Sequence, residues 1–311
     1  MYSGAISRNT KKGGGVLCST NTVKYAWMKE QQKHNEFHVN AMSEALEVPR
    51  SGYYAHKSGS SMLRKTEDER LTKLIIESFE ASRQNYGTQR IQHDLREWGE
   101  TVSRRRIGRL MRQNGLVCKT IKKFKVTTNS NHNRMLSPNL LNRQFKVDEP
   151  NQVWVGDITY IWTQSGWLYL ATVIDLFSRK VVGWSMAGHM RTSLVNEALQ
   201  MAIWQRKPPK GLLWHTDRGS QYASKEHRAL LKEHHIEQSM SRKGNCWDNA
   251  VAESFFHSLK TECVFHERYK TREQAQASIF DYIEVFYNRK RRHSANNQIS
   301  PANFESFRNV A

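Results

Sequence analysis

The 311-residue chain holds 48 Lys and Arg against 29 Asp and Glu, a formal charge of +19. No stretch approaches the roughly 18 consecutive apolar residues of a membrane span, and the N-terminus lacks the apolar segment and cleavage site of a signal peptide. A soluble intracellular protein with a polyanionic partner, nucleic acid first, is the class that remains.

Residues 1–22 are rich in Gly, Ser, Thr, Asn and Lys without periodicity, and are expected to be disordered or to reflect a mis-assigned start. Residues 23–60 read as a short helical segment with a helix-turn-helix cadence, turning at Val48-Pro49-Arg50. Residues 65–118 predict a helix-turn-helix DNA-binding domain. Its second helix runs from Thr88 to a stop near Gly99, and its third from a Ser103 cap to Gly115. Ile107, Leu110 and Met111 form the buried stripe of that third helix. Arg104, Arg105, Arg106, Arg109 and Arg112 occupy its outer face, where they suit a DNA groove and its phosphates. Residues 119–150 read as a basic linker laid along nucleic acid. The span 101–147 contains 12 Lys and Arg and no acid.

From Val153 the pattern changes to alternating β-rich runs. "VWVGDITYIW", "WLYLATVID" and "KVVGWSMAG" predict an antiparallel meander. Helix, short strand ("GLLWHTD"), helix and short strand ("IEQSMS") follow, then a helix within 245–262 and another near 272–289. The expected fold is α/β with a mixed five-stranded sheet, preceded by all-α helix-turn-helix regions. Four cysteines, at 18, 118, 246 and 263, form no CxxC pair and match no zinc template.

Three carboxylates stand out by position. Asp157 interrupts an apolar strand, where a charge is costly without partners. Asp217 ends a strand before a Gly-containing loop. Glu253 follows with 35 residues intervening, on a helix. A strand interior, a strand end and a helix can converge at one sheet edge. Carboxylates so gathered call for hard cations, Mg²⁺ first with Mn²⁺ as a substitute. Two ions about 3.5–4 Å apart can activate an attacking oxygen and stabilise a leaving one at a phosphodiester. Asn249 and Lys260 lie near the helix face of Glu253 and are candidate contacts to the reacting DNA strand. Arg292, in a basic cluster beside Tyr287 and Asn288, is a candidate phosphate contact. Spacing alone does not choose these acids over Asp175 or Asp248. His215, two positions before Asp217, reads either as a structural residue or as support for the site.

The segments "VWVGDITYIWTQSGWLYLATVIDLFSRKVVGWSM", "HTDRGSQYAS", "SMSRKGNCWDNAVAESFFHSLKTE" and "YNRKRRHSANNQISPANFE" resemble the catalytic half of insertion-sequence transposases of the third family, OrfB type. That family belongs to the wider retroviral-integrase superfamily. The resemblance covers about residues 24–306. It implies an RNase H-like catalytic core over 151–306. The family's D, D, E falls on Asp157, Asp217 and Glu253, and its following lysine on Lys260. "PRSGYY", "YGTQRI" and "RRRIGRLMR" are similar to its N-terminal helix-turn-helix regions. The His/His/Cys/Cys zinc domain of retroviral integrases is not apparent.

The function so implied is Mg²⁺-dependent cleavage at element ends followed by 3′-OH strand transfer. Asp157 would touch both ions, and Asp217 and Glu253 one each. The implied partners are terminal inverted repeats and target DNA, further copies of the chain (at least a dimer on DNA) and an upstream-frame OrfA product. The implied location is the bacterial cytoplasm. A structure-specific nuclease of the same fold, or a non-catalytic DNA-binding regulator derived from a transposase, are the alternatives. Strand-transfer products, or function independent of the triad, distinguish them.

Overall fold

A computed structural model describes residues 16, 18–34, 37–58, 60–119, 136–242 and 246–308. The expected disordered segment up to residue 15, and positions 120–135 of the expected linker, lie outside them. The chain divides into two compact units, residues 1–77 with 109–114 and residues 78–108 with 115–311. Among the described residues no helix is long and apolar enough to cross a membrane.

The smaller unit begins with helices α1 (Asn21–Lys33), α2 (Val39–Ala45) and α3 (Arg50–Lys57). Helix α1 starts inside the segment expected to be disordered. Tyr25, Met28, Met42, Leu46 and Tyr53 form the buried centre of this trio. The tyrosine hydroxyls are satisfied at its margin, Tyr25 on Pro49 O (3.2 Å) and Tyr53 on Gln32 Oε1 (2.6 Å). Helix α4 (Ser60–Ala81) follows. After it come α5 (Thr88–Glu97) and α6 (Arg104–Gln113), the helices expected from their caps. The Ser103 hydroxyl accepts from Arg106 N, and Gly99 and Gly115 take the left-handed conformation that ends each helix.

The larger unit is built on a five-stranded sheet of order β3-β2-β1-β4-β5. Strands β1 (Val153–Thr163), β2 (Gly166–Asp175) and β3 (Val181–Ala187) form the antiparallel meander. Strands β4 (Leu213–Thr216) and β5 (Glu237–Met240) add on parallel to β1. Between them run α7 (Thr192–Arg206) and α8 (Lys225–Glu233). These helices cover one face, where Trp154, Val173, Val182, Leu199, Trp214 and Met240 are buried together. Gly183 permits the close approach of α7. A Cβ there would stand 2.3 Å from Ala198 O.

Helices α9 (Ala250–Glu262) and α10 (Arg272–Phe280) pack on β1, and a π-helical turn (Asp281–Tyr287) continues α10. The Asn288 side chain pairs with both backbone groups of Val181 at the start of β3. The helix expected near 272–289 is thus α-helical only to Phe280. A last helix, α11 (Pro301–Arg308), closes the described chain.

The second half of the expected linker is part of this unit. Pro138 O accepts from Met240 N (3.2 Å), and Ser239 Oγ accepts from Leu140 N (2.9 Å) and Leu141 N (3.3 Å). Residues 137–141 so cover the outer edge of β5, which would otherwise present unpaired backbone. Helix α5 belongs to this larger unit, within which Arg90 faces Glu262 (3.8 Å) and Arg292 binds Asp94 and Glu97.

Candidate active site

Asp157 lies midway along β1, half-buried, with Ile158 N donating to its Oδ1 (2.8 Å). The preceding Gly156 admits no larger residue, since a Cβ there would lie 2.1 Å from the Trp214 ring. β4 runs parallel to β1 with Val155 opposite His215. Continuing that register by two residues aligns Asp157 with Asp217, just past the end of β4. Gly219 N donates to Asp217 Oδ1 (2.9 Å), which fixes the carboxylate in the turn. Glu253 sits in the first turn of α9, and Asn249 immediately precedes that helix. Asn249 is buried, and its Nδ2 donates to Gly156 O (3.2 Å), joining the start of α9 to β1 beside Asp157.

Asp157 senses both of the other carboxylates. Burial first, then repulsion from Asp217 and from Glu253, holds the Asp157 carboxyl well above the usual range. The charge on Lys260 opposes these effects. Burial raises the Glu253 carboxyl and lowers the Lys260 amine, whose Nζ lies 5.0 Å from the centre of the Tyr160 ring. Around Asp157 are buried oxygens without hydrogen-bond partners. They are Oγ1 of Thr172, directly opposite it on β2, Oδ1 of Asn249 and the Tyr222 hydroxyl. Tyr222 senses both aspartates, although burial is the main cause of its raised pKa.

Among the described residues, no three His, Cys, Asp or Glu side chains stand close enough as placed to hold an ion. The donor chemistry nonetheless fits a hard divalent cation. The donors are carboxylate oxygens that repel one another, with orphaned buried oxygens beside them.

The other candidates separate by surroundings. Arg104, Arg105 and Arg112 are exposed on α6, while Arg106 is partly covered. Arg109, also exposed, pairs with Asp68 at 2.7 Å. Arg292 departs further from expectation. It is buried, with Nε on Asp94 (2.5 Å) and Nη1 on Glu97 (2.9 Å) and Gln298 O (2.8 Å). Those contacts are internal, and a phosphate has no access to them. His215 is buried between the Ser239 and Ser241 hydroxyls, a structural position.

Asp248 is the participant that reading the sequence passed over. It is fully buried and accepts from Asn139 Nδ2, Arg143 Nε, Arg242 N and the Arg242 guanidinium, each at 2.8–2.9 Å. Hydrogen bonds from Arg242 hold its carboxyl far below the usual range. This clamp ties the chain entering α9 to the segment along β5. Arg242, six positions upstream, was the one partner visible nearby in the sequence.

Residues 147–246 and 253–308 match two family models described as integrase core domain, and residues 66–124 match an HTH-like domain. The transposase InsF for insertion sequence IS3 of Escherichia coli O111:H- is 43% identical over 286 residues, spanning 91% of this chain and 99% of the relative. The 31 kDa protein of insertion element IS600 from Shigella sonnei is 46% identical over 263 residues, 85% of this chain and 97% of the relative. A solved HTLV-2 integrase catalytic core domain in complex with magnesium aligns with 50% of this chain and 97% of its own, at 18% identity and a TM-score of 0.40.

Proposed function

The chain belongs to the family of the IS3 insertion-sequence transposases, and from that premise we propose that it cuts DNA at the ends of an element and joins the freed 3′-OH to a second phosphodiester. Asp157, Asp217 and Glu253 are the catalytic carboxylates in this reading and would hold two Mg²⁺ ions. When bound, the ions supply Lewis-acid activation of the attacking oxygen and stabilise the leaving one. The observation that carries the reading is the placement of the three carboxylates: the β1–β4 register aligns Asp157 with Asp217, and Asn249 joins the start of the Glu253 helix to Gly156 O beside them.

The chain's own residues hold the site. Gly156 and Trp214 fix the approach of β1 to β4. The Ile158 and Gly219 amides orient the two aspartates. Asn249 sets the start of α9 against β1. Water attacks first and leaves a 3′-OH. That hydroxyl then attacks a target phosphodiester in line, and the target's own 3′ oxygen leaves as the new bond forms, so no covalent bond to the protein arises. Exposed arginines on α6 would hold terminal inverted repeats, and pairing two ends calls for at least two copies of the chain. An upstream-frame product is a further partner in this scheme, which takes place in the bacterial cytoplasm.

The test uses labelled end-repeat duplex with Mg²⁺ or Mn²⁺, incubated with wild type, Asp157→Asn or Glu253→Gln. Cleaved and joined strands should come from wild type, with at least a hundredfold less from either variant, while circular dichroism stays native. A folded Asp157→Asn protein with full activity overturns the assignment. Cleavage without joining would reduce the activity to that of a nuclease.

A further inference from the structure

The tip of the β1–β2 hairpin carries an aromatic group that the proposed chemistry does not use. Tyr160, Trp162 and Trp167 are 39%, 60% and 42% exposed. Trp162 and Trp167 are opposite each other in the β-ladder. The Trp167 ring meets Tyr160 edge-on at 5.1 Å and Trp162 at 4.8 Å. Three large rings held in the open by one another form an ordered surface whose burial is left to another molecule.

Position and charge identify that molecule. The β4 pairing of β1 ends at Val155, so from Gly156 onward β1 has its ladder partner on the β2 side alone among the described residues. Asp157 lies at the start of this open edge and the aromatic tip at its end. With a rise of about 3.3 Å per residue, the backbone of Tyr160 lies roughly 10 Å and that of Trp162 roughly 17 Å beyond Asp157, and because side chains alternate the rings stand on the other face of β1, reached from Asp157 around its open edge. These distances span only a few nucleotides from a phosphate at Asp157. Two cations border the rings, Lys260 buried beside them and Arg272 partly exposed at the turn. Lys260 Nζ sits 5.0 Å from the centre of the Tyr160 ring. Arg272 donates from Nε to Trp167 O (3.0 Å), and its guanidinium lies over Gly166 at the turn. Open π-faces bordered by cations along an exposed path are the combination that holds single-stranded nucleic acid.

We propose that Tyr160, Trp162 and Trp167, with Lys260 and Arg272, form a stacking platform for unpaired nucleotides next to the reacting phosphate. This proposal rests on the DNA-joining reading above. By stacking the last few bases, the platform favours a frayed end over a paired one and keeps the strand extended across the edge of β1.

The experiment compares two end-repeat duplexes, one fully paired and one with its last three base pairs mismatched and 2-aminopurine in the unpaired strand. Wild type, Trp162→Ala, Trp162→Phe and Trp167→Ala are titrated by anisotropy and 2-aminopurine quenching. Their sedimentation is compared without DNA. Wild type should bind the frayed duplex more tightly and quench the probe. Trp162→Ala should lose about tenfold affinity for the frayed duplex and much of the quenching, with paired-duplex affinity unchanged. Trp162→Phe should retain most of both. Unchanged affinity for the frayed duplex in both alanine variants, or an equal loss on both duplexes, overturns the platform. So does a shift from dimer to monomer with no change in quenching, which assigns the surface to a second copy of the chain. A wild-type protein that binds neither duplex overturns the DNA reading itself. One that cleaves normally without discriminating frayed ends overturns the platform alone.

Discussion

Arg292 and Arg104 present the same guanidinium to opposite surroundings. Arg104 is exposed on a helix face, and its head is solvated by water or by a phosphate. Arg292 is 7% exposed and binds two carboxylates and a carbonyl. Removing one partner of a buried ion pair leaves a stranded charge and costs about 3 kcal/mol or more. Here the stranded group is Asp94, whose side chain is 16% exposed, rather than Glu97, whose side chain is 63% exposed. Arg292→Ala should therefore lower the unfolding free energy in urea by about 3 kcal/mol. Arg104→Ala should change it by less than about 0.5 kcal/mol and instead weaken duplex binding, reducing the salt slope by about one. An Arg292→Ala protein of native stability that no longer binds DNA would return Arg292 to the nucleic-acid surface.

At the scale of elements, the clamp on Asp248 decides how α9 begins. Its five hydrogen bonds gather Asn139, Arg143 and Arg242 at the chain entering the helix that carries Glu253. Asp248→Ala should cost about 2 kcal/mol, the scale of hydrogen bonds to a buried charge, and should lower joining activity with Glu253 still present. Because the folded carboxyl titrates below its unfolded value, the contribution is complete above about pH 4 and is lost as the pH falls further. Urea midpoints at pH 7 and about pH 2, wild type against variant, test this, and a variant as stable as wild type at pH 7 rules out the clamp. The elements that could be read in the sequence were those with local signals. The period-2 runs from Val153 marked β1 to β3, and the Ser103 cap and Gly115 marked the ends of α6. An acid inside an apolar strand pointed to Asp157. Asp248 and Arg292 were misjudged because their partners lie up to 109 and 198 residues away. No periodicity encodes such pairings. Residues 137–141 looked like linker because their function is to cap β5 with backbone hydrogen bonds, which leave little trace in side-chain pattern.

Across the whole molecule the positive charge that suits DNA coexists with a larger unit whose buried imidazoles are neutral. His227 is fully buried; Trp214 Nε1 donates to its Nε2 (3.0 Å), so its Nδ1 carries the proton toward Asn196 Oδ1 (2.7 Å). His215 is likewise buried, between two serine hydroxyls. Burial lowers both imidazoles to about 4. The unfolded chain titrates them near 6.5 and so binds more protons than the folded one between the two values. Stability must then rise with pH across that interval, complete above about 6.5 and lost progressively toward 4. At pH 5 each histidine should cost about 2 kcal/mol relative to pH 7.5. The two together would remove a large part of an ordinary domain's stability. Urea unfolding of wild type and His227→Gln at the two pH values separates this from general acid sensitivity. The variant should be less stable at pH 7.5, because a fitted ring is gone, yet lose about 2 kcal/mol less than wild type on going to pH 5. Identical pH dependence in the two proteins would mean that His227 takes up its proton in the fold as readily as in the unfolded chain, which its hydrogen bond from Trp214 opposes.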